Sequence, residues 1–237
     1  MGSPTLEGLQ ALGRAFGQTA RSGRNVDDIL RRVAQSRTEA AMLAAAQRPR
    51  SGSGLMALDI LSAPGSQDAL GQVDDLLARH QIQLGNVIGQ GGESLVLAAQ
   101  SPDGRQVVKL SPSVRTSIAK SPLPTGVPGV AGYSVAERVG PMSVAVQRRA
   151  DQVMPPDADG DVRRAWREAS WRVMNSLADR RHGWIDMSPS NVGLFGDELR
   201  AIDGYLSPLP SRPVGRSVEE AIRALRVRPE ELRLFQQ

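Results

Sequence analysis

The sequence has no cysteine, and of its 29 basic residues only Lys109 and Lys120 are lysine. The first absence excludes a disulfide framework and any thiolate metal site. The second makes a lysine at a motif position informative. An ammonium is a compact point charge that fits between phosphate oxygens differently from a planar guanidinium. Histidine occurs twice, at His80 and His182, so a multi-histidine metal site is not expected. Aromatic residues make up only 3%, so the core must be built mostly from Leu, Val, Ile and Ala. No apolar run approaches the roughly 20 residues of a membrane-spanning helix. The start shows no signal-peptide apolar region. These absences predict a cytoplasmic protein with no membrane span.

What is present fits one ordinary core plus an extension, or two small units: 237 residues, 40% hydrophobic and 23% charged. Gly 24 and Pro 16 predict many loops. The net charge of +4 raises the question of nucleic acid. The basic residues are spread along predicted helices and interleaved with Asp and Glu, which describes solvated faces. A nucleic-acid partner is therefore not expected.

Residues 1–50 read as a helical N-terminal extension. Leu6, Leu9, Leu12 and Phe16 recur at helical spacing, and Asn25 can cap a helix bearing Val26, Ile29, Leu30 and Val33. Arg37 to Gln47 is Ala-rich and favours helix. Such an extension packs on the main domain or reaches a protein partner. Residues 51–80 read as linker and helix. Arg48 to Gly54 has a flexible-linker composition, and Gln67 to His80 is amphipathic, with Leu70, Val73, Leu76 and Leu77 on one face.

Near Ile82 the period changes to that of strands. Leu84 to Ile88 leads into Gly89-Gln90-Gly91-Gly92-Glu93-Ser94-Leu95-Val96, and Leu95 to Ala99 is a second strand. Ser101-Pro102-Asp103-Gly104 is a turn signal, and Arg105 to Leu110 is a third strand carrying Lys109. Tyr133 to Val139 and Met142 to Gln147, either side of Gly140-Pro141, complete five strands. The acidic run Asp157 to Asp161 has its glycine in the wrong place for a calcium loop and reads as a helix cap. Asp161 to Arg181 follows as a long helix with Val162, Ala165, Trp166, Ala169, Val173 and Leu177 on one face. Trp166 and Trp171 are both expected to be packing residues. His182-Gly183 is expected to turn the chain into a loop. Beyond it come a hairpin over Val192 to Ile202, a loop over Pro208 to Pro213, a helix capped by Ser217, and a last short helix holding Leu232 and Phe235.

Asp186 is followed five residues on by Asn191, and Asp203-Gly204 comes twelve residues after that. This pattern resembles protein kinases and aminoglycoside-type phosphotransferases, which carry Asp-x-x-x-x-Asn, a hairpin and then Asp-Gly. The resemblance covers roughly residues 82–206. The upstream GxGxxSxV, strand, turn, strand and lysine are similar to the kinase glycine-rich loop and its strand lysine, with Ser94 where the family pattern has glycine.

The resemblance implies an α+β, two-lobed kinase-like fold. Its N-lobe would be five-stranded and antiparallel and its C-lobe reduced and helical. The minimal kinase-like domain would occupy residues 81–210, with residues 211–237 a C-terminal helical segment. It implies ATP and Mg²⁺ as cofactors. Gly89, Gly91, Gly92 and Ser94 would bind ATP, with Val96 covering the adenine and Lys109 on the α- and β-phosphates. Asp186 would accept the proton of an attacking hydroxyl, and Asn191 and Asp203 would hold the metal. The acceptor would be a hydroxyl of a protein or small molecule. The chain also resembles compact bacterial or phage kinase-like proteins, secreted effectors among them, so delivery into a host cell or carriage in a larger assembly are settings the resemblance implies.

The chain also departs from the family. Ser111 to Ser121, where kinases place a helix bearing a glutamate for the lysine, contains no acid, and Glu137 is the nearest later one. Trp184 stands where kinases have histidine, two residues before the catalytic Asp, and Tyr205 follows Asp203-Gly204 where protein kinases have phenylalanine. A catalytically weak pseudokinase serving as an interaction or assembly module is the alternative function. A plain hairpin with Asp186, Asn191 and Asp203 as turn formers is the alternative for the motif.

Overall fold

The computed structural model describes residues 36–47, 52–90, 93–112, 123–209 and 217–235. The helices expected before residue 36, the region 113–121 and the loop residues 210–213 lie outside these. The fold is mixed α+β, with a five-stranded antiparallel sheet and several helices. Backbone contacts divide the chain into two compact units, residues 1–116 with 137–145, and residues 117–136 with 146–237.

The first unit begins with α1 (Arg37–Ala46), α2 (Gly52–Ser62) and α3 (Ser66–Arg79). Ser36 caps α1 by accepting from Glu39 N at 3.0 Å. Asp74 on α3 adds a second cap from outside, taking Arg37 N at 2.6 Å and Thr38 N at 3.1 Å, and it also accepts from the Thr38 hydroxyl. A carboxylate at a helix N-terminus satisfies orphan amides and meets the positive end of the dipole. Along α3, Leu70, Val73, Leu76 and Leu77 are buried on one face, as their spacing predicts. Gly52, Ser53 and Gly54 belong to α2 rather than to a linker. Helix propensity argues against two glycines there, but Ala57, Ile60 and Leu61 are buried, and burial of that face outweighs propensity.

The five strands are β1 (Gln83–Gln90), β2 (Leu95–Ser101), β3 (Gly104–Ser111), β4 (Tyr133–Val139) and β5 (Met142–Arg148). Their order in the sheet is β1-β2-β3-β5-β4. Burial follows position in that order. On β3, residues Gln106 to Ser111 are all buried, and on β5 so are Met142 to Gln147, as expected of interior strands covered on both faces. The edge strands β1 and β4 are largely exposed.

In the second unit, β6 (Gln152–Val153) pairs with β8 (Val192–Phe195), which pairs with β9 (Glu198–Ala201). Between them runs α4 (Gly160–Asp179), capped by Asp159, whose side chain accepts from Asp161 N and Val162 N at 2.9 Å. Trp166 is fully buried and meets Phe235 edge-on, ring centroids 4.9 Å apart. Trp171 is not a packing residue: it is 49% exposed. At 100° per residue it falls on the face opposite Ala165, Ala169 and Val173. A strand β7 (His182–Ile185) pairs antiparallel with β10 (Tyr205–Pro208). His182-Gly183 is therefore strand, and the turn falls one step earlier, at Arg180-Arg181, where Arg181 takes φ 65°. The chain ends in α5 (Val218–Arg223), with a Ser217–Glu220 capping box, and α6 (Leu232–Phe235). No described helix is long and apolar enough to cross a membrane.

Candidate active site

Two short ladders bring Asp186, Asn191 and Asp203 together. In the β7–β10 ladder Ile185 pairs with Tyr205 and Trp184 with Leu206. Asp186 follows the last residue of β7, and Asp203-Gly204 precede the first residue of β10, so they emerge at the same end of one ladder. In the β8–β9 ladder Val192 pairs with Ala201. Asn191 precedes β8 and Ile202 follows β9, and Ile202 N donates to Asn191 O at 2.9 Å. Asn191 therefore stands beside the strand exit that leads to Asp203. The spacing of these three residues is that of one hairpin, β8–β9, enclosed in sequence by the β7–β10 ladder.

Hydrogen bonds then orient the groups. Asn191 Nδ2 donates to Asp186 O at 2.9 Å and to its Oδ2 at 3.2 Å. These bonds offset the cost of φ 69° at Asp186, a left-handed conformation that aspartate tolerates better than most residues. Asp186 is exposed, and its Oδ1 is left to a solute. Asp203 is half-buried, with Oδ1 accepting from Gly204 N at 2.8 Å. Trp184, 7% exposed, donates its indole Nε1–H to Asp203 O at 2.9 Å. Gly204 has φ 92°, and a Cβ there would lie 2.4 Å from Ile185 O. Tyr133 is buried, and that burial, reinforced by the negative charge of Asp203, pushes its phenol far above its ordinary range. Tyr133 therefore stays protonated at any physiological pH.

Asn191 commits its amide nitrogen to Asp186, while its Oδ1 accepts a long bond from Ser190 Oγ at 3.5 Å. That amide oxygen and the Asp203 carboxylate are hard oxygen donors that could hold a cation between them. Such a set fits Mg²⁺, which keeps several waters and takes further ligands from phosphate. Among the described residues no cluster of three or more His, Asp or Glu could hold a metal through such ligands alone.

The first unit holds the remaining predicted residues. Gly91 and Gly92 lie outside the described residues. Gly89 pairs with Val96, and Val96 pairs with Lys109. These three positions form one row across β1, β2 and β3, and directly paired residues share a face. A Cβ at Gly89 would meet nothing within 4 Å, so the space beside Gly89 itself is open. Register irregularities in β1 fall just before Gly89, between Leu84 and Val87 and between Val87 and Gly89. Such bulges concentrate next to functional sites. Ser94 is buried, 3% exposed, and Lys109 is 5% exposed. An ammonium in a strand covered on both faces is costly unless oxygen ligands meet it. Glu137 does not substitute as the partner of Lys109. It is exposed on the edge strand β4, two strands from β3, and makes no ion pair among the described residues.

Sequence reasoning passed over three residues here. Trp184 registered only as a departure from the family pattern, Gly204 only as half of a motif, and Tyr133 not at all. The glycine was readable in principle, since Asp-Gly before a strand signals a special backbone angle. The other two meet Asp203 from afar in sequence: Trp184 by a hydrogen bond to its carbonyl, and Tyr133 through the negative charge that helps hold its phenol protonated. No protein-family model matches the sequence, and no curated protein matches it.

Proposed function

We propose that the chain is a minimal, two-lobed kinase-like phosphotransferase that uses ATP and Mg²⁺ and transfers the γ-phosphoryl group to a protein or small-molecule hydroxyl. The observation that carries this reading is the gathering of Asp186, Asn191 and Asp203 by two adjoining ladders, with the Asn191 amide nitrogen bonded to Asp186. Gly89, Val96 and Lys109, in one row across the first sheet, support the nucleotide half of it.

In this mechanism Asp186 Oδ1 accepts the proton of the acceptor hydroxyl as its oxygen bonds to the γ-phosphorus. The bond from that phosphorus to the β–γ bridging oxygen breaks, and ADP leaves. Asn191 holds Asp186 in place for that contact. Lys109 offsets charge on the α- and β-phosphates. Asn191 Oδ1 and the Asp203 carboxylate would hold Mg²⁺, which would supply charge stabilisation to the phosphate oxygens.

The test is transfer of label from γ-³²P-ATP to candidate acceptors. Asp186→Ala is expected to keep nucleotide binding and lose transfer by about a hundredfold or more. Full transfer in that variant would refute the role of Asp186. A second reading is a pseudokinase that binds nucleotide and serves as an interaction module. The exposed, unpaired Glu137 favours it. Mg²⁺-dependent ATP binding without transfer to any acceptor is its signature.

A further inference from the structure

We propose that Trp184 is a positioning residue for Asp203, its indole N–H fixing the peptide that aims the metal-binding carboxylate. This rests on the phosphotransferase reading of the same site. Indole is a donor only, and when buried it needs an acceptor. Here the acceptor is not a neighbour in sequence but the carbonyl of Asp203, nineteen residues on, at 2.9 Å.

The geometry around that bond is closed on both sides. The carbonyl of the 203–204 peptide is held by Trp184, while the amide of the same peptide is held by Asp203 Oδ1 at 2.8 Å. A peptide fixed at both ends sets the direction of the side chain that caps it. Gly204 makes the approach possible, because a Cβ there would lie 2.8 Å from Trp184 Nε1 and 2.4 Å from Ile185 O. Trp184 pairs with Leu206 in the β7–β10 ladder, so its backbone is as fixed as its ring. Without the N–H, Asp203 would keep its place in the chain but lose the bond that holds its carbonyl. The metal would then bind a less organised ligand.

The test removes the donor and keeps the shape. In the full-length chain, Trp184→3-benzothienylalanine exchanges N–H for sulfur in a ring of similar size. ATP binding is followed by calorimetry at a series of free Mg²⁺ concentrations and without metal. The half-saturating Mg²⁺ concentration is expected to rise about threefold to tenfold, the range for one lost hydrogen bond. Affinity for metal-free nucleotide should be unchanged. The same replacement at Trp171, which is 49% exposed, should change neither quantity. Equal Mg²⁺ dependence in the Trp184 variant and the wild type would overturn the positioning role and leave the phosphotransferase reading standing. Loss of metal-free and metal-dependent binding in parallel would also overturn it, since Trp184 would then be a packing residue only. A wild-type chain whose nucleotide binding ignores Mg²⁺ would overturn both.

Discussion

Gly204 carries φ 92° and has Ile185 O where a side chain would begin, 2.4 Å from an added Cβ. Gly204→Ala therefore faces two costs at once, a left-handed backbone and a clash with fixed strand backbone. We expect it to destabilise the chain by about 1–3 kcal/mol and to weaken Mg²⁺-dependent nucleotide binding. Thermal denaturation with and without Mg-ATP checks both; a variant as stable as wild type would mean the β10 entry is looser than drawn. The nearness of Asp186, Asn191 and Asp203 was legible from their spacing, which brackets one predicted hairpin, β8–β9. Trp184 and Tyr133 were not. Their relation to Asp203 depends on strand register for Trp184 and on burial for Tyr133, and neither leaves a periodic trace in the sequence. Lys109 was legible by rarity, since this chain uses arginine almost everywhere else.

Helix α4 carries the sharpest contrast between two residues of one type. Trp166 lies in phase with Val162, Ala165, Ala169 and Val173 and is fully buried against Phe235. Trp171 lies out of phase and is 49% exposed. Trp166→Ala is expected to cost about 3–5 kcal/mol, and Trp171→Ala less than about 0.5 kcal/mol. Chemical denaturation of both variants measures the difference, and similar losses would contradict the orientation of α4. At the other end of the unit, Ser217→Ala removes one half of a capping box and should cost about 1 kcal/mol. The strong elements announced themselves by period: α3, α4 and the β2–β3 hairpin. The two-residue β6 and four-residue β10 did not, since so short a strand exists only through its partner. The glycines at the start of α2 misled for the opposite reason. Local propensity favours a linker there, and burial of Ala57, Ile60 and Leu61 overrides it.

For the chain as a whole, the five strands followed from turn signals and the change of period, and the α+β class and antiparallel sheet from the resemblance. The order of the strands, with β5 between β3 and β4, required the structure, and it is this order that removes Glu137 from the reach of Lys109. If nucleotide is bound as proposed, Mg-ATP should raise the melting temperature of the wild type by mass action, and the rise should grow with ATP concentration. Lys109→Ala and Asp203→Ala should each abolish that rise, whereas Asp186→Ala should keep it. The most direct measurement is calorimetric titration of the full-length chain with ATP, in the presence and absence of Mg²⁺. The account predicts one saturable site that tightens with Mg²⁺ and disappears in Lys109→Ala and Asp203→Ala. No saturable binding at millimolar ATP, or binding that both substitutions leave intact, would contradict it.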